Sequence, residues 1–241
     1  MHRTVNRRPS RLARRTGLAY LGIIGTGLFA EFAVRKRLVV DDDPAATAEN
    51  IAGSPQLFKV GIGADVVMVA LDVTVAAGLF RLFRRDQRRA FASTGLRLVQ
   101  GAVIAVNLTN LVRALDFARQ AVGPDNTVHA ESAQDALDAV KRHALGYDTG
   151  LIAFGLSCLV LGRQLQTANL VARPLAVGMS VTGLVYLAGS SAAHFAPRLS
   201  SAIAPLYGIP LVVELAFALR LVTRGLDAPV RVAVPRIAVS A

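Results

Sequence analysis

The chain has 241 residues, 53% hydrophobic and 18% charged, with a mean hydropathy of +0.46, no tryptophan and a formal net charge of +11. Soluble domains carry roughly 25% charged residues, so this balance excludes an ordinary soluble globule and points to a bilayer. The basic residues flank long apolar runs and form no patch on a folded domain, which argues against a nucleic-acid partner and for membrane orientation.

In chain order, six segments reach the roughly twenty-residue length of a bilayer span. They are about 17–37, 57–80, 91–112, 145–164, 174–194 and 205–223. They predict an all-α polytopic bundle of about six transmembrane helices. Residues 1–16 are then a basic N-terminal segment, 17–224 the membrane domain and 225–241 a C-terminal tail. Ahead of the first span, MHRTVNRRPSRLARR holds six arginines and no acid; between the second and third, RLFRRDQRR holds five arginines against Asp86. The positive-inside rule places both in the cytoplasm and predicts an N-in, C-in topology. On that topology the cytoplasmic parts carry seventeen basic residues and two acids, and the opposite side nine and ten. The arginine pair near the start has the look of a secretory or twin-arginine signal. Its apolar run is longer than a signal core, Glu31 interrupts it, and no small-residue cleavage site follows, so the first helix is read as a retained anchor.

The connections carry helix signals of their own. In DDDPAATAENI, Asp43 and Pro44 form a cap and first-turn pair, and Ser54 with Pro55 repeats the device before the second span. A short interfacial helix is expected there. Residues 131–143, ESAQDALDAVKRH, put Ala133, Ala136, Leu137 and Val140 on one face and are expected to run straight into the fourth span.

Polar residues inside the spans are the main functional signal, because each is costly in hydrocarbon. GIGADVVMVALDV, residues 61–73, sets Asp65 and Asp72 seven positions apart. That is nearly two turns and about ten ångström of depth, so both carboxylates share one face, which should point into the bundle. The first span adds Glu31 and Arg35. The third adds Arg97 and Gln100, then Asn107 and Asn110, and the fourth opens with His143, Tyr147 and Asp148. In the sixth, Glu214 follows Pro210 by one turn, and that proline is expected to kink the helix.

Depth counting sorts these residues into two layers. The outer one groups Glu31, Arg35, Asp65, Asn107, Asn110, His143 and Tyr147, and the inner one Asp72, Arg97, Gln100 and Glu214. Asp65 is expected nearer external water, sharing a cavity with the first and fourth spans. All are candidates for ligand or proton binding. An architectural reading stands beside this: Asp72 with Arg97 as a register-fixing ion pair, and asparagines as interhelical glue worth about 0.6 kcal/mol each. Likewise, Arg35 can snorkel to the headgroups and His143 can cap at the interface.

Other motifs add little. GIIGTG at 22–27 lacks the Rossmann spacing, so its glycines, like Gly178 and Gly183, are read as close-packing positions. Asn107-Leu108-Thr109 fits a glycosylation sequon but lies inside a span, and Ser190, Ser191 and His194 read as polar packing. The single cysteine, Cys158, excludes an intrachain disulfide and a thiolate metal cluster. There is no HExxH, GxSxG or Walker sequence, so neither a metal site nor a cofactor is implied.

One resemblance covers most of the chain. AEFAVR, DPAATAENIAGSPQLFKVGIGADVVMVALDV, RLVQGAVIAVNLTNL, HALGYDTGLIAFGLSCLVLG and LVYLAGSS resemble, in order, the bacterial integral-membrane family called domain of unknown function 4386, over about residues 16–224. The resemblance implies a six-helix membrane protein, and with it the plasma membrane, but it brings no activity and no catalytic residue.

Three function classes remain open. A transporter or small-ligand or proton binder would use the buried acids. A membrane-embedded enzyme would use His143 with Glu31 or Asp65 as metal ligands or acid-base groups. A noncatalytic component would bind protein or lipid, its basic face holding anionic headgroups at about 1 kcal/mol per residue. The lipid bilayer is a partner in all three, and a small molecule in the first.

Overall fold

Even the shortest of the six long apolar helices has 20 residues, which at 1.5 Å per residue matches the roughly 30 Å of bilayer hydrocarbon. A computed structural model describes residues 9–123 and 127–226. The spans are α1 (Arg11–Leu38), α3 (Pro55–Leu82), α4 (Gln87–Ala121), α5 (Ala130–Ala168), α6 (Arg173–Phe195) and the final one over Ala204–Thr223. That last span opens with a 3-10 turn, Ala204–Tyr207, and continues as α8 (Gly208–Thr223). Two short helices, α2 (Pro44–Gly53) and α7 (Pro197–Ile203), lie between spans. Among the described residues the only β pairing is one isolated bridge, Val122 with Val128. The chain is therefore an all-α, multi-pass membrane protein. Val66, Val67, Val73, Val99, Val106, Leu184 and Val212 face outward, as contact with lipid requires.

The spans alternate in direction, so one end of the bundle collects Arg11, Arg14, Arg15, Arg81, Arg84, Arg85, Arg163 and Arg173 and is called the basic end. The other carries α2. There Asp43 caps α2 by accepting from the Ala46 amide at 2.9 Å, with Pro44 in the first turn. Thr47 ties α2 to Val40, and Asn50 donates to the Leu38 carbonyl, so this helix is fastened to the end of α1.

Several sequence expectations need correction. Ser54 stands at the N-cap of α3, but its side chain makes no capping bond; Pro55 is the device that operates there. Helices α4 and α5 run well past the expected 91–112 and 145–164, reaching 35 and 39 residues. Beyond the bilayer they are held together by Leu111, Ala114, Leu115 and Ala118 against Ala133, Ala136 and Val140, an alanine-rich hairpin no hydropathy criterion would extend. Residues 131–143 do run straight into the span. Pro210 sits in the first turn of α8, directly after the 3-10 turn Ala204–Tyr207.

Small residues set the helix crossings. Gly155 and Gly183 face each other across α5 and α6, where a Cβ on either would stand 2.9 or 2.6 Å from the other's carbonyl oxygen. At the basic end, α1 and α8 meet at Gly17, with the Ala218 carbonyl 2.7 Å from where a Cβ would be. Gly22 packs on Leu71, as a close-packing glycine should, whereas Gly25 faces open space.

Candidate functional site

Glutamate 214 marks the polar center of the bundle. It is buried, and both carboxylate oxygens accept from tyrosines: Tyr20 donates to Oε2 at 2.8 Å and Tyr186 to Oε1 at 2.6 Å. Beside it, Arg97 Nη2 pairs with Asp72 Oδ1 at 2.6 Å, and the Arg97 guanidinium lies 4.8 Å from the ring centers of both Tyr20 and Phe154. The inner residues of the sequence reading thus come together, and Tyr20 and Tyr186 join them. Two carboxylates and one guanidinium share the center, and no described lysine, arginine or histidine other than Arg97 forms an ion pair there.

These groups floor a cavity of about 480 Å³ lined by all six spans, Ile24 and Leu28 of α1, Met68 and Asp72 of α3, Arg97 and Gln100 of α4, Tyr147 and Phe154 of α5, Tyr186 of α6, and Tyr207 and Glu214 of the last span among them. Two buried polar atoms on its wall, Arg97 Nε and Gln100 Oε1, have no hydrogen-bond partner. A buried donor or acceptor left unpaired costs stability.

The outer layer divides differently from expectation. Arg35 Nη1 binds Asp65 Oδ2 at 2.6 Å and its Nε binds Glu31 Oε2 at 2.9 Å, inside a π-helical stretch of α1, Phe29–Arg35. Asp65 is 1% exposed, and it is absent from the wall of the central cavity, contrary to the expectation of a shared one. Asn107 donates to the His143 carbonyl at 2.8 Å, lies 3.1 Å from His143 Nδ1, and accepts from Asn110 at 2.9 Å. Gly146 makes room for that asparagine: a Cβ there would collide with the Asn107 amide. Tyr147 leaves the outer group, because one further turn of α5 lowers its ring to the cavity wall, where its hydroxyl meets Met68 Sδ at 3.8 Å.

Among the described residues, no three of His, Cys, Asp and Glu gather as a metal ion would require. His194 engages Thr149 at 3.0 Å and the Ser190 carbonyl at 2.8 Å, while Ser190 turns to Asp148 at 3.4 Å, so no serine-histidine pair forms. The sequence reading missed Tyr20, Tyr186 and Tyr207. The available signal was that the chain has four tyrosines, and that Tyr20 and Tyr186 sit in mid-span rather than in an interfacial belt.

No curated protein and no solved structure matches the chain. A family description does match, over residues 15–225, nearly the whole membrane domain and all of the cavity wall. The chain belongs to the family described as Domain of unknown function (DUF4386).

Proposed function

We propose that this protein binds a small ligand within the membrane, in the central cavity, as a member of the transporter class. One observation carries the reading: all six spans contribute to the wall of a cavity of about 480 Å³ that includes two carboxylates, Asp72 and Glu214, together with Arg97 and Gln100, each of which has a buried polar atom without a partner. Ligand cavities typically span about 300–1,000 Å³ and combine apolar walls with a few convergent polar groups. The site residues under this reading are Asp72, Arg97, Gln100, Tyr147 and Glu214. Glu31, Arg35, Asp65, Asn107, Asn110 and His143 hold α1, α3, α4 and α5 together.

Gln100→Leu separates the two readings of the floor. If the cavity is only architecture, removing an unsatisfied amide leaves the protein equally or more stable and changes nothing else. Under the ligand reading the empty protein is no less stable, but the ligand is lost. Native mass spectrometry of gently extracted protein is expected to find a small-molecule adduct on the wild type and none on Gln100→Leu. Equal occupancy in both, or an empty wild type, would contradict the reading.

The basic end is assigned to the cytoplasm of the plasma membrane, where its arginines meet anionic headgroups. A reporter fused after Arg89 should read cytoplasmic and one placed in the α4–α5 connection the opposite; the reverse pattern would invert the topology. Position 125 and the C-terminal arginines 231 and 236 lie outside the described residues.

A further inference from the structure

The cavity is not closed on every side. Of the residues on its wall, the exposed ones are Leu28, Phe32, Ala204, Gly208 and Leu211, and every one belongs to α1 or the last span. The other four spans contribute only buried or half-buried positions. The two helices that frame the opening cross tightly at the basic end, where Gly17 meets Ala218, and part toward the α2 end. Leu28 precedes the end of α1 by ten residues, about 15 Å of helix, and Leu211 follows the start of the last span by seven, so this part of the opening lies in hydrocarbon, while Ala204, at the start of the last span, carries the opening up toward the headgroups. A gap rimmed by leucine and phenylalanine at that depth faces acyl chains.

The floor states the complementary requirement. Asp72 and Glu214 oppose one guanidinium, and among the described residues Glu214 accepts hydrogen bonds from the hydroxyls of Tyr20 and Tyr186. A group entering this center is favored if it is cationic and donates hydrogen bonds, and opposed if it is anionic. Tyr147, Tyr186 and Tyr207 line the way with aromatic rings, which also suit a cation.

Resting on the ligand-site reading, we infer that the gap between α1 and the last span is a lateral portal through which a single-chain amphiphile with a cationic head enters from the lipid. Its head lies on Glu214, Gln100 and the Asp72–Arg97 pair, and its chain lies in the gap over Leu28, Phe32 and Leu211.

Gly208→Trp tests the portal without touching the floor, because a Cβ at Gly208 meets nothing within 4 Å and the ring can enter the opening. Ala204→Trp replaces it should that variant fail to fold, as judged by its melting temperature. The probe is tritiated hexadecylamine, bound to full-length protein in nanodiscs against empty nanodiscs. Saturable binding is expected, weakened about tenfold or more by the tryptophan, with hexadecanoate competing about tenfold less well than the amine. Saturable amine binding that the tryptophan leaves unchanged overturns the portal and spares the site. A wild type that carries a native adduct but binds no amine, or binds hexadecanoate as well, overturns the cationic amphiphile alone. A wild type with neither adduct nor amine binding overturns both readings.

Discussion

Asp72→Asn is expected to lower stability by about 3–5 kcal/mol, since it leaves the Arg97 guanidinium buried without its counter-charge. Arg97→Gln should cost at least as much. It strands Asp72, which is 4% exposed, and also removes the cation from between the rings of Tyr20 and Phe154. Arg97→Lys keeps the charge but loses the planar fork that reaches Asp72 from a position 4.8 Å from both ring centers, so it falls between wild type and Arg97→Gln. The double change Asp72→Asn with Arg97→Gln should cost clearly less than the two single costs combined, because neither charge is then left alone. Denaturation in mixed micelles measures all four proteins. Strict additivity would mean that the 2.6 Å contact contributes nothing.

How much of this was legible in the sequence depends on the kind of property. The six spans were, because an apolar run long enough for a bilayer has few alternatives in water or lipid. The reach of α4 past the membrane was not, since its extra turns are alanine-rich and pack on α5, whereas the start of α5 was, through the one-sided apolar pattern of residues 131–143. Asp72, Arg97, Gln100 and Glu214 stood out as polar residues in apolar runs, and depth alone put them at one level. Tyr20 and Tyr186 were passed over although both lie in mid-span, because tyrosine carries no charge; their pairing with Glu214 is what gives them meaning. The cavity was invisible, being a property of how helices diverge. Asp65 and Asp72 look alike in the sequence. What separates them is a partner on another helix, Arg35 for one and Arg97 for the other, and which of the two faces empty space.

The second large effect is expected at Asp65. Asp65→Asn takes the counter-charge from Arg35, which keeps only Glu31, a residue whose side chain is 41% exposed. The retained bond to Glu31 limits the damage, so a loss of about 2–3 kcal/mol is expected, below the usual cost of breaking a buried pair. Since Asp65 is off the wall of the central cavity, ligand binding by the folded fraction should not change. Glu214→Gln should do the opposite. The amide is isosteric and its oxygen still accepts from a tyrosine, so folding survives, while the negative charge on the cavity floor is gone.

The most direct measurement is therefore a side-by-side comparison of Asp65→Asn and Glu214→Gln, following melting temperature and the native adduct in the same preparations. The account predicts a lower melting temperature with the adduct retained for Asp65→Asn, and a near-normal melting temperature with the adduct lost for Glu214→Gln. Loss of the adduct in a stable Asp65→Asn protein, with wild-type occupancy in Glu214→Gln, would contradict it and move the site to the α2 end of the bundle.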